Sequence, residues 1–72
     1  MNKKEFIKFV ENCRPAYQLG EVVKYDIFHW HIVSLEYLIP EETISYFLVR
    51  FTNDENVVYH EIGEKELQKH NR

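Results

Sequence analysis

Two hydrophobic periods divide the chain. Between Phe6 and Cys13 the apolar residues Phe6, Phe9, Val10 and Cys13 recur every three or four positions. Lys3, Lys4, Lys8, Glu11 and Asn12 fall largely on the other side. This is the repeat of an amphipathic helix. Asn2 is a good N-cap residue, and Glu5 three positions on completes a capping box. Pro15 disfavours helical geometry at Arg14 and stops the element. The spacing predicts a helix over residues 2–14. A helix of about 11 residues is unstable alone, so its stripe is expected to dock, with Phe9 and Val10 packed on a sheet.

From Gly20 onward the period falls to two, the repeat of strands. Strands are expected at Glu21–Tyr25, His31–Ile39, Ile44–Phe51 and Val57–Ile62. In the second, His31, Val33, Leu35, Tyr37 and Ile39 alternate with Ile32, Ser34 and Glu36. If the first set faces the core, Trp30 and Ile32 face away from it. The third strand is apolar on both sides, Phe47, Val49 and Phe51 on one and Ile44, Tyr46 and Leu48 on the other, until Arg50. That pattern predicts a central strand covered twice, with the helix on one side. Pro40–Thr43 reads as a turn and Thr52–Asn56 as a polar loop of hairpin length. Gly63 breaks the last strand, and Glu64–Leu67 fits one helical turn or a short closing strand.

At 72 residues the chain has room for one domain, residues 1–72. With 44% hydrophobic and 29% charged residues it groups with globular proteins. Five Phe, five Tyr and one Trp can fill a small core. Cys13 is the only cysteine, which excludes an internal disulfide. Met1–Asn12 is too charged for a secretory leader, and no apolar run approaches membrane-spanning length, so cytoplasm is the expected compartment. Charge is unevenly spread: residues 1–25 carry five basic and three acidic groups, residues 26–66 two basic and nine acidic. An acidic central region repels nucleic-acid phosphate.

The segments LGEVVKY, HIVSLEYLIPEETISYFLVRF and TNDENVVYHEIGEKEL, spanning 19–67, resemble the small SH3-like barrels of the KOW and Tudor type. Gly20, Val33, Tyr46, Leu48, Arg50, Phe51, Val58 and Glu64–Leu67 occupy positions matching that pattern. The hairpin departs from it, with Asn53-Asp54-Glu55-Asn56 in place of Asp-Gly. The first loop holds Ile27, Phe28 and His29 where a glycine is common. The resemblance implies a mainly β fold, a partly open five-stranded barrel behind one N-terminal helix. It also implies a binding module of the kind found in short bacterial and phage proteins, and not an enzyme.

Candidate chemistry is sparse. His29-Trp30-His31 places two imidazoles on one side of a strand, but a closed zinc site needs four ligands, and only His60 and Cys13 offer themselves in addition. No metal or cofactor is expected. Cys13 lies on the apolar stripe and reads as an inert buried thiol. Glu41-Glu42 and Glu64/Glu66 read as solvated turn charge, and the two glycines form no phosphate loop. No catalytic residue is expected. Tyr25, Ile27, Phe28, Trp30 and Tyr59 gather large side chains in or beside the first loop. Of these, Tyr25, Phe28, Trp30 and Tyr59 are the candidate binding residues. The expected function is protein–protein interaction, with a regulatory or mobile-element role, through an unidentified protein or a second copy of the chain. The alternative is a nucleic-acid-binding barrel, in which these rings stack on bases.

Overall fold

A computed structural model describes the whole chain, Met1–Arg72. The elements run α1 (Lys3–Asn12), β1 (Val22–Tyr25), β2 (Phe28–Leu38), β3 (Thr43–Phe51), β4 (Val57–Gly63) and α2 (Glu64–His70). The strands form one open antiparallel sheet in the order β1-β2-β3-β4. The expectation of five strands and one helix is thereby corrected to four strands and two helices. The segment considered for closing a barrel is α2. Its sequence explains this: Glu64 and Glu66 sit in the first turn and Lys69 and His70 in the last, complementing the helix dipole. Its single apolar residue, Leu67, cannot supply the alternation of a strand, but one helical face needs no more.

A bulge decides which side chains reach the core. β2 pairs with β3 as His31↔Val49 and Ile32↔Leu48, then slips so that Ser34 faces Phe47 and Leu35 faces Tyr46. Val33 is the extra residue. Before the bulge the inward residues are Trp30 and Ile32; after it they are Leu35 and Tyr37. The expectation that Trp30 and Ile32 face away from the core is therefore overturned: they are 4% and 1% exposed. An alternation read straight through His31–Ile39 assumes unbroken pairing, and one inserted residue reverses it. With Val23, Ile44, Tyr46, Leu48, Ile62 and Leu67 these two side chains form the core.

That core covers one face of the sheet only. α2 lies across β1, β3 and β4. Its end is tied to the β1 edge by Asn71, whose Oδ1 accepts from the Lys24 N–H and whose Nδ2 donates to the Lys24 carbonyl, both at 2.8 Å. This occupies hydrogen-bonding groups that an edge strand otherwise offers to other chains. The segment before β1 is stapled to the same face. The Tyr46 hydroxyl donates to Glu64 Oε1 (3.2 Å) and accepts from the Tyr17 N–H (3.3 Å). Glu64 Oε1 also accepts from the Ala16 N–H (2.6 Å). The Tyr17 and Tyr46 rings meet edge-on, with centroids 5.6 Å apart.

With α2 and Tyr17 on that face, α1 is left at its margin. Asn2 and Glu5 form the capping box expected of them. Yet no residue of α1 is buried. Phe9 is half-buried, its ring edge-on to Tyr37 at 5.8 Å, and Val10 is exposed. The expected docking of Phe9 and Val10 on the sheet is thus reduced to the edge-on contact of the Phe9 ring with Tyr37, followed by Cys13 against the core margin.

Candidate functional site

The first loop is tighter than its sequence implies. Tyr25 pairs with Phe28, so only Asp26 and Ile27 turn the chain, and Phe28 and His29 belong to β2 and not to a loop. Asp26 takes φ 59°, a left-handed conformation that Asp tolerates better than most residues. Ile27 projects from the turn, 83% exposed.

This hairpin brings three of the four candidate residues together at one end of the covered face. Trp30 is buried, and its indole Nε1–H donates to the Tyr25 carbonyl at 3.0 Å. Tyr25 stacks on His60, centroids 4.5 Å apart and planes 22° apart, and meets His70 edge-on at 4.8 Å. Arg50 lies on the Phe28 ring with its guanidinium carbon 3.6 Å from the centroid, and 5.1 Å from that of Trp30. Such cation–π contacts hold an arginine without a carboxylate partner. The Arg50 Nε is buried and makes no hydrogen bond. The cluster closes the end of a one-sided core; Trp30 is enclosed by it, while Phe28 keeps 37% of its surface exposed. In the sequence Arg50 ends an apolar run and matches a position of the barrel pattern. Its place over Phe28 and Trp30 follows from strand pairing, which no local pattern reveals.

The fourth candidate, Tyr59, is on the opposite face, 73% exposed. There it stands in register with Val49. Its surroundings carry the apolar signal that the sequence assigned to a second covering layer. Phe51 faces Val57 and is 63% exposed; Val22 and Val33 are each 51% exposed. Phe47 and Val49 lie between them, half-buried by their neighbours alone. No helix crosses this face. The expectation of a β3 covered twice is therefore corrected: its Ile44, Tyr46 and Leu48 side is enclosed and its Phe47, Val49 and Phe51 side is open. The two ends of the open face differ. Lys24 and His29 lie opposite one another at the hairpin end, in line with Phe51 and Val57. Glu36 pairs with Ser45, and Glu61 with Phe47, toward the other end. The Ser45 hydroxyl donates to Glu61 Oε1 at 3.0 Å and holds that carboxylate over the sheet.

Electrostatics add little elsewhere. Burial, chiefly, pushes the Tyr46 hydroxyl up to about 12, with the neighbouring Glu64 carboxylate also raising it; burial and the charges of Glu21 and Glu64 raise Tyr17 as well. Both tyrosines serve the staple and face no cleft. His29 and His31 share the open face, whereas His60 belongs to the covered one and Cys13 to the core margin. No three His, Cys, Asp or Glu side chains converge as metal ligands would. A shallow cleft between α1 and the β2–β3 turn is lined by Glu5, Lys8, Phe9, Asn12, Cys13 and Glu42. No helix is long and apolar enough to cross a membrane. No family model matches the chain, and no curated protein or solved structure matches it significantly.

Proposed function

We propose that the chain is a small non-enzymatic module that binds protein through the open face of its sheet, around Val49, Phe51, Val57 and Tyr59. The observation that carries this reading is that Val22, Val33, Phe51, Val57 and Tyr59 are all exposed on that one face, around the half-buried Phe47 and Val49. Scattered apolar residues are ordinary on a surface, but a contiguous patch framed by charge marks an interaction site. The contact surface thus moves from the hairpin aromatics to the side of the sheet where only Tyr59 of the four candidates stands. The resemblance to small SH3-like barrels supports the same class of role. A nucleic-acid surface would gather the N-terminal lysines, Lys24 and Arg50 beside exposed rings. Arg50 instead lies on the covered face over Phe28, with Lys24 on the open one.

The test is a comparison of wild type with Phe51→Asp/Tyr59→Asp, both shown to be folded by circular dichroism. Protein association, with itself or with chains captured from a native lysate, is expected for wild type and is lost in the variant. Identical associations in both proteins, or none in wild type, overturn the reading.

A further inference from the structure

We infer that the occupant of the open face is the open face of a second copy, packed about a two-fold axis that runs across the strands. This rests on the reading of that face as a contact surface and names its partner. Three observations carry it. The first is the polarity of the face: Lys24 at the hairpin end, Glu36 and Glu61 toward the other, and Phe47, Val49 and Tyr59 at the levels between, beside His31 and Ser34. In the sheet register six residues separate the two levels, about 20 Å at strand spacing. A two-fold axis across the strands reverses one sheet over the other, which brings Lys24 of each copy to the level of Glu36 of its partner, one strand aside. The centre at Phe47 and Val49 then meets itself, as an isologous interface requires, with Glu61 of each copy at the Tyr59 level of its partner. An axis along the strands superposes like ends and loses this match.

The second observation is size. Four strands about 4.8 Å apart and about eight residues long present a face of about 19 by 27 Å, or about 1,000 Å² in projection over two copies, where specific interfaces begin. The third is the fold itself. Only 9 of the 72 residues are buried, and a sheet enclosed on one side becomes a sandwich when a second sheet covers the other. The N-terminal helix does not compete for this face, because its one aromatic contact is with Tyr37 on the covered side.

The experiment is sedimentation equilibrium of the full chain from about 1 µM to about 1 mM, a range that brackets the affinity of an interface this small. Wild type is expected to pass from monomer to dimer. Tyr59→Asp is expected to abolish the dimer. Lys24→Glu and Glu36→Lys, both at exposed positions, are each expected to weaken it about tenfold, a like-charge effect of about 1.4 kcal/mol. The double variant Lys24→Glu/Glu36→Lys is expected to regain wild-type affinity to within about threefold, which excludes misfolding as the cause. A wild type that stays monomeric throughout overturns the inference. So does a dimer that ignores Tyr59→Asp or the single reversals, or one broken instead by Phe6→Asp on α1. If the chain is monomeric yet Phe51→Asp/Tyr59→Asp loses a captured protein, the inference fails and the binding role stands. If no association of any kind responds to that variant, both fail.

Discussion

Tyr46→Phe removes one oxygen atom from the most enclosed aromatic residue of the chain, and that atom joins three segments. The Tyr46 ring is fully buried on the central strand, and phenylalanine keeps its packing. What disappears is the hydrogen bond to Glu64 Oε1 and the acceptor for the Tyr17 N–H. A hydrogen bond to a charged group contributes about 1.5–3 kcal/mol. Glu64 keeps the Ala16 N–H, and the Tyr17 amide lies near enough to the surface to find water, so the expected loss is about 2 kcal/mol. A 72-residue domain has about 4–11 kcal/mol in total, and in one this small such a loss lowers Tm by about 8–16 °C. Urea and thermal melts followed by Trp30 fluorescence measure it, and a double-mutant cycle with Glu64→Gln isolates the pair. A coupling above about 1 kcal/mol is expected. A loss below about 0.5 kcal/mol, or no coupling, refutes the staple. The hydroxyl also leaves a signature in pH. Its folded value of about 12 stands above the ordinary 10.0. Between these values the folded chain keeps the proton and the unfolded chain releases it. Stability from this group is therefore complete below pH 10.0 and falls as pH climbs toward about 12. In Tyr46→Phe the alkaline decline should be shallower, with Tyr17 supplying the remainder.

Three further outcomes follow from burial and backbone. Trp30 should emit in the blue and resist quenchers, and Trp30→Ala should cost about 3–5 kcal/mol in a denaturant melt; a red, quenchable emission would place it outside the core. Phe9→Ala should cost less than about 1.5 kcal/mol, because the ring is half-buried and has one aromatic partner; a loss of about 3 kcal/mol or more would mean that α1 is seated in the core. Glu55 holds φ 62° in the β3–β4 turn. Glu55→Gly should relieve strain and stabilise by up to about 1 kcal/mol, and Glu55→Val should destabilise by at least as much; equal melting temperatures for the two would refute the strain.

Local sequence determined α1, the centre of each strand and the turns on either side of β3. The Asn2–Glu5 capping box, the stop at Pro15, the alternation through β3 and the polar turns on either side of it are contacts between near neighbours, and the chain folds there as its pattern reads. Tertiary structure decided everything that depends on distant pairing. The bulge at Val33 inverts the facing of Trp30 because register is set by β3 and not by β2 alone. Glu64–His70 becomes a helix over the core and leaves no fifth strand, since Leu67 and Asn71 find partners on β1, β3 and β4. The helix α1 is left at the margin of the face on which Tyr17 and α2 already pack, and it reaches neither side of β3. Both sides of β3 are apolar in sequence, and only the placement of α2 settles which side is core and which is surface. Phe47, Val49, Phe51, Val57 and Tyr59 lie on the outside because the one helix packed on the sheet, α2, covers its other side.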